Sequence, residues 1–124
     1  MEGQNILTVR GPKATLDEIE QSGATVECDE MYAGMFGKEN CKTLERTDNC
    51  LLMIYAFRDI SMNAYLFKLL KQYKDCWFKN EFETDSGGAG VWIGRYIHGK
   101  VDTQEVSWKE LTVQEIAHDK NYNS

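Results

Sequence analysis

Glu81, Glu83 and Asp85 lie two residues apart, with Arg95 and His98 further along the chain. In an extended strand, alternate residues share a face and stand about 7 Å apart. Three carboxylates in a row, with a guanidinium and an imidazole on a neighbouring strand, could hold a divalent cation. They could also supply a general acid and base, and a hydrolase would follow. The same pattern serves equally as cross-strand ion pairs on the solvent side of an antiparallel hairpin. Gly87-Gly88-Ala89-Gly90 raises the idea of a phosphate cradle. A phosphate loop opens into a helix and carries Gly-Lys-Ser/Thr, whereas Val91-Trp92-Ile93 follows here, so the glycines read as a tight turn. The two histidines, His98 and His118, lack ligand spacing. A Cys–His pair such as Cys76 with His98 is the remaining nucleophile arrangement. None of these motifs calls for a cofactor.

Positioning those carboxylates requires a hairpin, and the stretch from Cys76 to Ile97 reads as one. Its aromatic and β-branched residues suit a pleated surface. On the first strand Phe78, Asn80 and Phe82 share one face, and Lys79, Glu81 and Glu83 the other. On the second, Val91, Ile93, Arg95 and Ile97 oppose Trp92, Gly94, Tyr96 and His98.

The rest of the chain supplies the frame. Asn5 to Arg10 reads as a strand ended by Gly11-Pro12. Thr15 with Glu18 forms a capping-box pattern for a short helix that Gly23 closes. Ala24 to Cys28 alternates and suggests a second strand. From Asp29 to Asn49 the periodicity is lost, and Met31, Tyr32, Met35 and Phe36 lie among glycines and charges. A loop this long either covers one end of a sheet or binds something. Cys50 to Phe57 is the most apolar run and reads as a central strand buried on both faces. Ser61 or Asn63 could cap a helix reaching Tyr73, with Leu66, Phe67, Leu69, Leu70 and Tyr73 inward and Lys68, Lys71 and Lys74 outward. Val101 to Trp108 reads as a polar strand near an edge, and Thr112 with Glu115 predicts a short C-terminal helix over Val113–His118.

At 124 residues the chain makes one domain with a sizeable core. The order of elements predicts an α+β, ferredoxin-like fold: a mostly antiparallel sheet with two helices on one face and a short C-terminal helix. The four cysteines have no C-x-x-C spacing, and free thiols are expected. Met1 to Asn5 lacks the regions of a signal peptide, and no apolar run is long enough to span a membrane. An intact cytoplasmic protein is therefore expected. Net charge is −6, and the densest basic region, Lys68 to Lys79, is followed at once by acids, which counts against nucleic acid as a partner.

Three pieces resemble the YubB-type ferredoxin-like domain of plasmid and phage proteins. They are the opening strand Asn5-Ile6-Leu7-Thr8-Val9-Arg10-Gly11, the leucine-rich helix ending near a tyrosine, and the strand-turn-strand from Glu81 to Gly94 with its acids and glycines. Together they cover about two thirds of the chain. The chain lacks the proline-rich entry to the second helix that goes with that pattern. The resemblance implies a small accessory protein of a phage or large DNA virus, working in the host cytoplasm, and implies no catalytic residues. The expected function is thus non-enzymatic binding of a protein or small ligand, with a homo-oligomer left open. The binding residues expected are Met31, Tyr32, Met35 and Phe36 of the loop and Glu81, Glu83, Asp85, Arg95 and His98 of the hairpin. A hydrolase on the acidic face and a structural subunit of a larger viral assembly are the alternatives.

Overall fold

The computed structural model describes residues 4–24, 38–55, 63–83 and 88–109. The strand Gln4–Arg10 (β1) alternates inward Leu7 and Val9 with Ile6 and Thr8 on its other side. It pairs antiparallel with Cys50–Tyr55 (β3) on one side and with Trp77–Glu83 (β4) on the other. Cys41–Arg46 (β2) borders β3, while Gly88–Ile97 (β5) and Lys100–Lys109 (β6) extend the sheet beyond β4. The result is one open six-stranded sheet in the order β2-β3-β1-β4-β5-β6, antiparallel throughout. The helix Lys13–Ser22 (α1) follows β1, and Asn63–Gln72 (α2) joins β3 to β4.

Both helices cover the same face. Leu16 and Ile19 of α1 and Tyr65, Leu66, Leu69 and Leu70 of α2 share one buried cluster with Leu7, Val9, Leu51, Met53, Tyr55, Phe78 and Trp92. Those strand residues are cross-strand partners of one another, as in Leu7 with Met53 and Val9 with Phe78, or lie two positions from one, so they line a single face. Each such side chain contributes about 1.5–3 kcal/mol on burial. This is a two-layer α+β arrangement. Gly94 lets the Trp92 ring fold across the strand, because a Cβ there would meet that ring. Trp92 then meets Phe67 of α2 edge-on, at 5.5 Å between ring centroids and 75° between planes.

Several local readings need correction. Thr15 does not cap α1: Pro12 holds that position, and the Thr15 hydroxyl donates to Asp75 across the domain at 3.0 Å. Gly23 does close the helix, at φ 66°, and the following Ala24 N–H reaches back to Ile19 O at 2.9 Å. Ala24 itself is at φ 60°, a turn residue rather than the start of a strand. The hydroxyls of buried Tyr55 and Tyr65 donate to the carbonyls of Gly23 and Ala24 and fix the chain there. Tyr65, not Phe67, is the aromatic that α2 buries fully; Phe67 is 39% exposed.

The aperiodic stretch before Asn49 contains β2, preceded by a short 3-10 turn at Lys38–Asn40. Strand periodicity was hidden there because the register shifts between Thr43 and Glu45, leaving Leu44 in a bulge at the sheet edge. β3 is not buried on both faces. Leu51, Met53 and Tyr55 are buried, whereas Leu52 and Ile54 on the other side are only half-buried. The strand expected from Ala24 to Cys28 lies, after Ala24, outside the described residues, as does the helix expected over Val113–His118.

Two interactions tie distant segments together. Asn80 Nδ2 donates to Asn5 Oδ1 at 2.8 Å between β4 and β1, with both residues fully buried. Arg46, on the helix side of β2, donates to Asp17 Oδ1 at 2.8 Å, to Glu20 Oε1 at 3.3 Å and to the Lys13 carbonyl at 3.3 Å. The hydrogen bond from Arg46 holds the Asp17 carboxyl below its ordinary value, with Lys13 adding to the effect.

Two outcomes are expected. Asn80→Leu removes a buried hydrogen bond and should lower stability by about 1–3 kcal/mol in urea unfolding; an unchanged midpoint would show that the pair contributes nothing. Because the folded Asp17 is the stronger acid, its pairing stabilises the protein above the ordinary carboxylate value of 3.8 and fades as pH falls through the folded pKa. Arg46→Ala should move the Asp17 titration, followed by carboxyl NMR, back up toward 3.8.

Candidate functional site

The sheet face turned away from the helices is where unassigned side chains gather. Cross-strand register arranges them in rows. One row runs Glu45, Leu52, Thr8, Lys79, Ile93, Gln104 from β2 to β6. The next runs Lys42, Ile54, Ile6, Glu81, Val91, Val106. Beyond the first lie Cys50, Arg10, Trp77, Arg95 and Asp102; beyond the second, Gln4, Glu83 and Ala89. An apolar band, interrupted on β4 by Lys79 and Glu81, therefore crosses the face, from half-buried Leu52, Ile54 and Ile6 to half-buried Val91 and Ile93, and reaches Val106, which is 66% exposed. Among the described residues no helix covers it. Apolar side chains grouped on a sheet face in this way commonly mark a surface that is used for contact.

Charge on this face is balanced. Arg10, Lys42, Lys79, Arg95 and Lys100 stand against Glu45, Glu81, Glu83 and Asp102, in a chain of net charge −6. Trp77 sits between two guanidiniums in register, and Arg10 lies over its ring with Cζ 5.5 Å from the centroid. Beside it, Trp77, Ile93, Arg95, Asp102 and Gln104 enclose a shallow hollow of about 260 Å³. A second, of about 130 Å³, is lined by residues including Ile6, Glu81, Glu83 and Val91. Small-molecule sites are usually about 300–1,000 Å³ and enclosed. These dimples on a broad surface suit a wide contact better.

The hairpin does not assemble the acid–base site that its sequence suggests. Glu83 pairs with Ala89 and Glu81 with Val91, which sets the register and leaves Arg95 opposite Trp77. Arg95 thus stands four residues along the sheet from Glu81, about 14 Å at strand spacing. Its carboxylate neighbour is Asp102 on β6, at 3.8 Å. His98 is farther still, exposed in the β5–β6 turn at φ 51° beside Gly99 at φ 74°. Glu81 is held by Lys79 of its own strand at 3.1 Å. Among the described residues no group of three His, Cys, Asp or Glu side chains could hold a metal ion. Met31, Tyr32, Met35, Phe36 and Asp85 lie outside the described residues.

Cys76 is buried just before β4, and its thiol donates to the Asp75 carboxylate at 3.6 Å rather than to His98. Burial, with Asp75 adding to it, pushes the thiol up to about 12, the wrong direction for a nucleophile.

Sequence reasoning placed Glu81, Glu83 and Arg95 on one surface but missed Arg10, Trp77, Ile6, Leu52 and Ile54 beside them. The available signal was Cys50-Leu51-Leu52-Met53-Ile54-Tyr55, apolar on both faces. Such a strand asks for cover on both sides. No helix among the described residues is long and apolar enough to cross a membrane. No family model matches the chain, and neither a curated protein nor a solved structure matches it.

In the folded protein Cys76 should resist thiol alkylation at mildly alkaline pH and react only on unfolding, as read by peptide mass mapping. Cys50, half-buried on the open face, should be alkylated first. Equal rates for the two would contradict the burial that raises the Cys76 pKa.

Proposed function

We propose that the protein is a small non-enzymatic interaction module whose open sheet face is its binding surface. The observation that carries this reading is the apolar band Leu52, Ile54, Ile6, Val91 and Ile93 on the face that neither helix covers. Covering that band is worth about 25 cal/mol per Å² of apolar area removed from water. The shallowness of both hollows favours a macromolecular surface as the counterpart over an enclosed small ligand.

On this reading the core is ferredoxin-like. β1-α1-β2-β3-α2-β4 follow in the split β-α-β order, with strands arranged β2-β3-β1-β4, and β5 and β6 widen the sheet. The added strands supply Val91, Ile93 and Val106, half of the apolar band that ends at Val106. The resemblance to YubB-type domains supports an accessory role in a phage or large DNA virus.

A photo-crosslinking residue at position 106, in the protein expressed in cells, should capture a polypeptide covalently. The same residue at position 71, exposed on the outer side of α2, should not. Equal or absent capture at both positions would remove the open face as the binding surface.

A further inference from the structure

We infer that the surface covering the open sheet face is the same face of a second copy of this chain, related by a two-fold axis that runs across the strands. This rests on the reading of that face as an interface and names its occupant. What supports it is charge complementarity within the register. Consider two sheets face to face, with an in-plane two-fold axis between the Lys79 row and the Glu81 row. The rotation keeps every strand over its own counterpart and exchanges the two rows. Lys79 then lies over Glu81 of the second copy, and Glu45 over Lys42 of the second copy. Of the apolar residues, Leu52 meets Ile54 and Ile93 meets Val91, while Ile6 meets Thr8 and Val106 meets Gln104. In the flanking rows Glu83 comes over Trp77, between the guanidiniums of Arg10 and Arg95. The surface is therefore complementary to itself, as an isologous contact requires.

The other face-to-face arrangement lacks this property. With the axis along the strands, centred between β1 and β4, Lys79 falls over Thr8 and Glu81 over Ile6. That sets the Lys79–Glu81 pair of each copy against Thr8 and Ile6, with no opposite charge facing it from the second copy. At about 4.8 Å between strands and about 3.4 Å per residue, six strands present a face of about 700 Å² per copy, close to the roughly 800 Å² per partner of a stable interface. Paired sheets cross at about −30°, so the central rows meet best, and these hold the complementary charges. A chain of net charge −6 repels its own copies overall. This balanced face is where two copies can meet without that penalty.

The test is sedimentation velocity on the full chain, from low micromolar to a few hundred micromolar. The expected species has twice the chain mass of 14.3 kDa. Lys79→Glu places four carboxylates around the axis and should weaken association at least about tenfold. Lys79→Glu combined with Glu81→Lys exchanges the rows and should restore it. Glu81 is exposed and Lys79 half-buried, so circular dichroism is the fold control for these variants as well as for Ile93→Asp, which should give a monomer. A monomer across the whole range overturns the inference. So does a dimer whose mass is indifferent to Lys79→Glu, which would place the contact elsewhere. Hydroxyl-radical footprinting separates this failure from that of the underlying reading. A monomer with Val91 and Ile93 protected has another segment of the chain on the face. A monomer with both reactive, still captured from position 106 by a different polypeptide, keeps the interface and loses only the second copy.

Discussion

Among the described residues the helices cover one side of the sheet only, and the rest of the described structure follows from that constraint. α1 and α2 have ten residues each, so each is about 15 Å long and about 10 Å wide. A six-stranded sheet is about 25–30 Å across. Two such helices can roof one face and no more. The sequence nonetheless puts apolar residues on both faces of β1, β3 and β5. The helix face holds Leu7, Val9, Leu51, Met53, Phe78 and Trp92; the other holds Ile6, Leu52, Ile54, Val91 and Ile93. The first set is paired with helices inside the domain. The second has the composition of a core, and no helix among the described residues lies over it.

The covered face is held by polar interactions as well as by burial. Arg46 fastens the edge strand β2 to α1 through Asp17, Glu20 and the Lys13 carbonyl, at the side of the sheet where the helix layer ends. The hydroxyls of Tyr55 and Tyr65 hold the chain as it leaves α1. Asn5 and Asn80 place a hydrogen bond between the two central strands, where a slip of register would strand two amides in the core. These contacts fix which side chains face outward, and so fix the rows of the open face. Packing beneath the sheet and presentation above it are consequences of the same register.

The elements with strong periodicity were legible in the sequence: β1, α1, β3, α2 and the β4–β5 hairpin all lie close to where alternation and helical spacing put them. β2 was not, because its bulge at Leu44 interrupts alternation and Lys42, Glu45 and Arg46 give it the polarity of a loop. The turn signal Thr47-Asp48-Asn49, with Thr47 N–H bonded to Cys50 O at 2.8 Å, was there to be read. The site was legible only in part. Spacing shows that Glu81 and Glu83 share a face, but spacing within one strand says nothing of the offset between strands. The partnering of Glu83 with Ala89 sends Arg95 away from the acids. Arg10 and Trp77 are 67 positions apart in sequence, and only the β1–β4 register makes them neighbours.

The edges of the sheet bear on how the open face is used. A free edge strand presents unpaired amides and carbonyls and invites another strand to add to it. Here both edges oppose that. β2 is bulged and carries Lys42, Glu45 and Arg46. β6 is long but exposes Asp102 and Glu105 along its described length, with Lys100 at its start. Charges that would have to be stripped of water stand along the routes of edge-to-edge growth. Across the open face, by contrast, charges of both signs stand along β2 and β4 among apolar residues. Association is thus disfavoured where it would propagate without limit. In the proposed two-fold contact the assembly would end at two copies, because an isologous face consumes itself.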